Sequence, residues 1–335
     1  MNRKIKRIIY AVTILTMLSA FILNFISYFD SNYLYDSALK TMSLSEKSVD
    51  ISILTAAKSF PNTPNENIED IDDEPVYNEV KALDLSRNPQ NNQILLTNET
   101  AYEPDVISLL KTPYPIDRSQ PVFINIGASQ KSAPLVLIIH THGTEAFYPL
   151  IRSANKTENI VSVGSLMADI LNKHGVETLH CDIMHDEESY LNSYNKSKET
   201  ILKYLEEYPS IQYVFDVHRD AVIDADGQTI KAVTTVDGKE TAQIMCVVGS
   251  DYKGGNHPNW LDNLNVAVKL QYLLNGEYTN IARPINIRSA TFNAQYAPGS
   301  LLLEIGSSGN TLTEAKRAAI LTAEKLADLI LGSEN

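Results

Sequence analysis

At 335 residues the chain is too long for one small domain, and 41 acidic against 28 basic residues give it a net charge of −13. So acidic a chain is repelled by a phosphate backbone, which excludes nucleic acid as a partner and leaves a reading of one or two domains.

Taken in chain order, Arg3, Lys4, Lys6 and Arg7 precede an uncharged, mostly apolar run from Ile8 to Phe29. At helical rise that run is long enough to cross a bilayer. The next Lys is Lys40, so the basic cluster is expected to hold the N-terminus on the cytoplasmic side. Residues 1–29 thus read as a cytoplasmic tip and a transmembrane anchor of a single-pass protein, with everything after Phe29 outside the cytoplasm. A cleaved secretory signal is the rival reading. Against it, the run exceeds a usual signal core and ends in Tyr28-Phe29-Asp30 without a small-residue cleavage site. Both readings export the bulk of the chain.

Residues 30–130 are rich in Asn, Ser, Pro and acid, with "NTPNENIEDIDDEP" as the extreme, and show no sustained period that would build a core. They read as a stalk or linker. Short apolar pieces within it, Ile94-Leu95-Leu96 and Val106 to Leu110, are expected to dock on the domain that follows.

Residues 131–335 read as that domain. From Ala133 onward apolar runs alternate with segments of helical period. Leu135 to Ile139 reads as a strand, Ile160 to Lys173 as a helix closed by Gly175, and Val176 to Leu179 as a second strand. Tyr190 to Tyr208 reads as a helix stopped by Pro209, and Ile211 to Val217 as a third strand. The pairs Asp226-Gly227 and Asp237-Gly238 mark hairpin turns before the apolar run Ala242 to Val248. Trp260 to Leu274 is helical by period, Ser300 to Ile305 is a strand, and Thr311 to Leu331 is an amphipathic helix with Thr311 as its cap. This alternation predicts an α/β fold: a mostly parallel sheet covered on both faces, with a small β-hairpin insertion. Cys181 and Cys246 both sit in apolar stretches and read as buried thiols, with a disulfide left open by the exported topology.

In an open α/β sheet, ligands gather beyond the carboxyl ends of the strands. There the first strand ends in "HTHGTE" (His140, His142, Glu145), the third in "FDVHRD" (Asp216, His218, Arg219, Asp220) and a late one in "LLLEIG" (Glu304). A catalytic zinc site takes three His and carboxylate ligands and leaves a fourth position for water. The predicted ligands are therefore His142, Glu145 and His218. His140 is an alternative to His142, or a residue that orients the site, and Glu158 is a rival to Glu145 because it precedes the first helix. Glu304 follows three leucines, where a carboxylate needs a partner or a task. General base is that task, and amide hydrolysis fits the set. A second cluster, "HCDIMHDE" from His180 to Glu187, reads as a solvated crossover. His257 in "GGNHPNW" reads as a surface residue or a groove wall.

The segments "IIHTHGTEAF", "DVHRDA", "AQIMCVVGSD", "HPNWLDNLNVAVKL" and "FNAQYAPGSLLLEIGSSGNTLTEAKRAA", in that order, resemble the stage II sporulation protein P family. They cover nearly all of residues 133–332. The resemblance implies a doubly wound α/β fold of the zinc amidase type and an N-acetylmuramoyl-L-alanine amidase that uses Zn²⁺, with a second, endopeptidase activity on peptide cross-links. It carries over readily to His142, His218 and Glu304. The broader amidase pattern puts its ligand Glu farther downstream, where Glu158 lies, whereas the sporulation family's own motif favours Glu145. Arg219 and Asp220 match a family "HRD" run expected to orient the site or touch substrate, and Asn293 and Gln295 match a loop expected to wall the groove. The family context implies septal and engulfing membranes during sporulation, a peptidoglycan substrate, and the stage II sporulation proteins D and M as partners. A peptidase acting chiefly on cross-links, and a non-catalytic peptidoglycan-binding scaffold of the engulfment machinery, are the alternatives.

Overall fold

A computed structural model of the protein describes residues 80–89, 93–112, 123–126, 129–258 and 260–332. The expected anchor, Ile8–Phe29, and the most acidic part of the expected linker lie outside the described residues. Among the described residues, no helix is long and apolar enough to cross a membrane.

In chain order, strands β1 (Val80–Leu83) and β2 (Leu96–Asn98) are followed by the short helix α1 (Val106–Lys111), the pair β3 (Phe123–Ile126) and β4 (Ser129–Ser132), and β5 (Val136–Ile139). Helix and strand then alternate through α2 (Ile160–Lys173), β6 (Thr178–His180), α3 (Ser193–Glu207) and β7 (Tyr213–Asp220). The hairpin β8 (Thr229–Val236) and β9 (Lys239–Ala242) interrupts them. The pattern resumes with β10 (Ile244–Gly249), α4 (Trp260–Glu277), β11 (Ile285–Arg288), β12 (Leu301–Ser307) and α5 (Leu312–Leu331).

The main sheet has seven strands in the order β2-β11-β10-β12-β7-β5-β6. Its pairings are parallel except for β10 against β12, so the sheet is mixed: β6, β5, β7 and β12 run one way and β10, β11 and β2 the other. Parallel neighbours need a long crossover, usually a helix. Between β7 and β10 the chain forms a hairpin instead, and β10 enters antiparallel to β12. That hairpin closes at Asp237-Gly238, both with positive φ (50° and 72°), as its turn type requires. It belongs to a separate sheet of order β1-β8-β9.

Alternation along the strands divides the core. From β5, Val136 and Ile138 join one apolar cluster with Phe215, Val217, Leu301 and Leu303, covered by α2, α4 and α5. Leu137 and Ile139 join a smaller one on the opposite face with Ile201 of α3. Helix α2 starts at Asn159, whose side chain accepts from Val161 N, and ends before Gly175 at φ 84°. Helix α5 starts at Thr311 with a full capping box to Glu314. Its alanines at 315, 318, 319, 323 and 327 are all buried, so small side chains let it approach its neighbours closely. Cys181 and Cys246 are both free and fall in different clusters.

The linker expected over residues 30–130 is corrected where it is described. β2 pairs with β11 inside the main sheet and β1 pairs with β8. Buried polar side chains of α4 hold the rest: Gln271 Nε2 donates to Leu95 O at 3.1 Å, Asn265 Nδ2 to Leu109 O at 2.8 Å and Lys269 Nζ to Thr112 O at 2.8 Å. The apolar pieces around Leu95 and Leu109 do dock, as expected. Their polar surroundings hid a three-residue strand that pairs with β11 through its backbone while Leu96 packs on the large cluster.

Candidate active site

The parallel half of the sheet sends β5, β7 and β12 to a common edge. Because β5 is buried on both faces, the chain leaves the sheet at His140 in a fixed direction. His140 itself turns back toward α2. Its Nδ1 is 2.8 Å from Val217 O and its Nε2 is 3.0 Å from His180 Nε2. Burial, reinforced by His180, pushes its pKa down to about 3, so the ring is neutral: Nδ1–H donates to the carbonyl and Nε2 accepts from His180. A Cβ at Gly164 would lie 2.4 Å from this ring, which explains a glycine inside α2.

The next five residues carry the site. Thr141 donates to Asp216 twice, from its backbone N to Oδ1 at 2.8 Å and from Oγ1 to Oδ2 at 2.6 Å. Thr144 does the same to Asp186, from N to Oδ1 at 3.0 Å and from Oγ1 to Oδ2 at 2.6 Å. Between them, His142 is buried with its ring stacked on Tyr190 at 4.3 Å and edge-on to Tyr194 at 5.6 Å. Its Nδ1 lies 3.9 Å from Asp186 Oδ2. A Cβ at Gly143 would come within 2.8 Å of the Met184 backbone, so glycine is what lets the segment after β6 close against this turn.

His218, near the end of β7, faces His142 edge-on with ring centres 5.3 Å apart. Its Nδ1 is 3.5 Å from Glu145 Oε2, and its Nε2 is 2.8 Å from Asp216 Oδ1, an ion-pair contact that lies off the hydrogen-bonding direction. Glu145 Oε2 also accepts from Arg219 N at 3.1 Å, with Arg219 Nη1 3.7 Å from Oε1. On β12, Glu304 is in register with His218 and therefore on the same face of the sheet. The residue is only partly buried, but its Oε2 is fully enclosed and has no hydrogen-bond partner.

The charges are set by neighbours. Burial opposes a charge on His218, yet Asp216 and Glu145 outweigh it and hold its pKa well above the usual imidazole value. Burial would raise Glu145, but Arg219 and His218 hold it well below the usual carboxylate range. Glu304 goes the other way: burial and the Asp220 carboxylate push it up to about 8. Asp220 is itself tied to Arg283 at 2.8 Å.

The donor set suits a divalent cation in kind: two imidazoles and a carboxylate, all buried, in a pocket where acidic groups outnumber the guanidiniums of Arg219 and Arg283. Among the described residues, no three His, Cys, Asp or Glu side chains are already gathered closely enough to enclose an ion. Of the expected ligands, Glu145 Oε2 and His218 Nδ1 lie 3.5 Å apart, while the other ring nitrogen of His218 approaches Asp216.

The sequence matches the stage II sporulation protein P family over residues 32–327. The chain belongs to that family. The stage II sporulation protein P of Bacillus subtilis (strain 168) is 25% identical over 218 residues, which take in 60% of this chain and 52% of that relative. The match thus spans about half of the relative's length. Among solved structures, the chain is similar to the CwlD amidase from Clostridioides difficile in complex with the GerS lipoprotein (12% identity, 61% of this chain, 100% of that chain, TM-score 0.39). It is also similar to the N-acetylmuramoyl-L-alanine amidase AmiC2 of Nostoc punctiforme (13%, 59%, 96%, TM-score 0.35). Likeness that loose decides nothing about the chemistry of this family member.

Of the residues expected from the sequence, the structure brings together His142, Glu145, His218, Arg219, Asp220 and Glu304. Glu158 is exposed and accepts from Ser153 Oγ at 3.0 Å. Asn293 (φ 58°) donates from Nδ2 to Tyr194 O at 2.8 Å, and the adjoining Phe292 packs on Tyr194, so this loop reaches the ring that flanks His142. Gln295 Oε1 is enclosed without a hydrogen-bond partner.

The solvated crossover expected at His180–Glu187 is corrected. Cys181, His185 and Asp186 are buried, and His185 Nδ1 donates to His140 O at 2.7 Å. His257 is likewise buried, 3.0 Å from Asn263 Nδ2 through its Nε2, rather than at the surface. Sequence reading missed Asp186, Tyr190 and Tyr194 as neighbours of His142.

Proposed function

We propose that this family member is a zinc-dependent peptidoglycan hydrolase that cleaves the amide between N-acetylmuramic acid and L-alanine. The observation that carries the reading is Glu304: its Oε2 is enclosed without a partner, the residue is in register with His218, and burial and Asp220 raise its pKa above the usual carboxylate range, which suits a group that takes and returns a proton. His142, Glu145 and His218 would hold Zn²⁺. Bound there, the ion supplies Lewis-acid polarisation of the amide carbonyl and lowers the pKa of water. Glu304 Oε2 takes the proton of the attacking water as the C–O bond forms and delivers it to the amide nitrogen as the C–N bond breaks. Arg219 keeps Glu145 ionised, and the wall of Tyr190, Tyr194 and Phe292 limits access of bulk water.

The same groups serve a peptide bond, so endopeptidase cleavage of cross-links belongs to the proposal. We further propose that residues 8–29 anchor the chain in the membrane with the hydrolase domain outside the cytoplasm, at septal and engulfing membranes. There it would meet the stage II sporulation proteins D and M.

The test uses the full chain, purified in mild detergent, and its His142→Ala variant, each incubated with purified peptidoglycan with and without Zn²⁺. Products are identified by mass spectrometry. Zinc-dependent release of stem peptides with a free alanine N-terminus by the wild type alone supports the reading. Binding to peptidoglycan with no released product would replace it with the scaffold role.

A further inference from the structure

The two threonines of "HTHGTE" do the same thing on either side of His142. Thr141 grips Asp216 through N and Oγ1 at 2.8 and 2.6 Å, and Thr144 grips Asp186 through N and Oγ1 at 3.0 and 2.6 Å. Each gripped carboxylate then faces one histidine: Asp216 Oδ1 is 2.8 Å from His218 Nε2, and Asp186 Oδ2 is 3.9 Å from His142 Nδ1. Both carboxylates are buried. A buried carboxylate that spends two hydrogen bonds on one threonine is fixed in position, because both of its oxygens are tied to one rigid segment.

We infer that Thr141–Asp216 and Thr144–Asp186 are two positioning pairs, one for each histidine, which set ring orientation and decide which nitrogen faces the ion. The inference rests on the zinc reading above. For His218 the approach is close, Nε2 to Asp216 Oδ1 at 2.8 Å, although it lies off the hydrogen-bonding direction. With Nε2 turned to Asp216, Nδ1 is the nitrogen on the Glu145 side, 3.5 Å from Oε2. A histidine that holds a metal through one nitrogen generally gives its other N–H to a carboxylate or carbonyl, which fixes the tautomer and strengthens the donor.

His142 is held more by its surroundings. Tyr190 stacks on its ring, and Arg152 lies over the Tyr190 ring at 5.5 Å while donating from Nη2 to Asp186 Oδ2 at 2.9 Å. Asp186 therefore divides its charge between Arg152 and His142, whereas among the described residues Asp216 is paired with His218 and with no Lys or Arg. The expected effects differ accordingly.

The measurement is Zn²⁺ affinity of the full chain, purified in mild detergent, by competition with a chromophoric chelator. It is paired with thermal melting of the zinc-free protein. Asp216→Asn should weaken zinc binding roughly 10- to 100-fold with the metal-free melting curve retained, and Asp186→Asn should weaken it less. Should Asp216→Asn melt early, Thr141→Val and Thr141→Ser replace it: valine should weaken zinc binding and serine should restore it, a difference a merely space-filling role does not produce. Wild-type affinity in Asp216→Asn, or equal affinity in the valine and serine variants, overturns the inference. A wild-type chain that binds no Zn²⁺ removes the zinc reading itself, and this inference with it.

Discussion

The two faces of β7 and β12 are built from the same strands and differ in almost everything else. On one face, Tyr213, Phe215 and Val217 meet Leu301, Leu303 and Ile305 in the large apolar cluster under α2, α4 and α5. On the other, Asp216 and His218 meet Glu304. Period-two alternation makes this division possible: odd-numbered positions pack into the large cluster, while Asp216, His218 and Glu304 share the other side with Val214 of the smaller cluster, and the register shifts only after Glu304. The apolar face anchors the strands, and the polar face can then carry groups that would otherwise cost stability.

That comparison can be broken from either side. The largest effect is expected on the polar face. Glu304→Gln should lower turnover on peptidoglycan by roughly 10²- to 10⁴-fold while leaving the melting temperature unchanged or raised, since a buried carboxyl without a partner is removed. A variant that keeps near-wild-type turnover would overturn the proposed role of Glu304 as the proton carrier. On the apolar face, Phe215→Ala should cost roughly 3–5 kcal/mol in urea unfolding, because its fully buried ring leaves a cavity. A loss well under that range would show the large cluster to be looser than its burial indicates.

Smaller effects sharpen the boundary of each face. Thr311→Ala removes the cap and capping box of α5 and should cost about 1 kcal/mol, measured by the same unfolding experiment, with turnover per folded molecule unaffected. Glu158→Gln should change neither turnover nor zinc affinity, because that carboxylate is exposed and bonded to Ser153. A clear drop in zinc affinity would return Glu158 to the ligand set in place of Glu145.

Much of the fold was legible because it follows from local pattern. The helix expected at Ile160 to Lys173 is found with those ends, since Asn159 and Gly175 terminate it through their own side chain and backbone. Thr311 caps α5 as expected, and Asp237-Gly238 makes its turn. The site was legible in part: "HTHGTE" does follow the end of β5, whereas β7 runs on to Asp220 and β12 to Ser307, so His218 and Glu304 sit within their strands and meet by register. β11, with Asn286 and Arg288 among its four residues, carried no clear apolar signal, and β2 is only three residues long, with Leu96 alone of them packed on the large cluster. The segment from Cys181 to Asp186 looked solvated because its buried polar groups are paid for by partners far away in sequence, among them Thr144 and Thr200.

By itself, then, the sequence determined the alternation of strand and helix and the terminating residues, which depend on neighbours within a few residues, and it marked His142, Glu145, His218 and Glu304 as polar groups on or next to apolar strands. Only the tertiary structure decided that β10 runs antiparallel to β12, that residues 93–112 belong to the folded unit, and that Asp216 and Asp186 stand behind the two histidines. Those outcomes depend on pairings between groups 42 to 176 residues apart. A hydrogen bond is specified by the meeting of two groups, and a linear pattern records only one of them at a time.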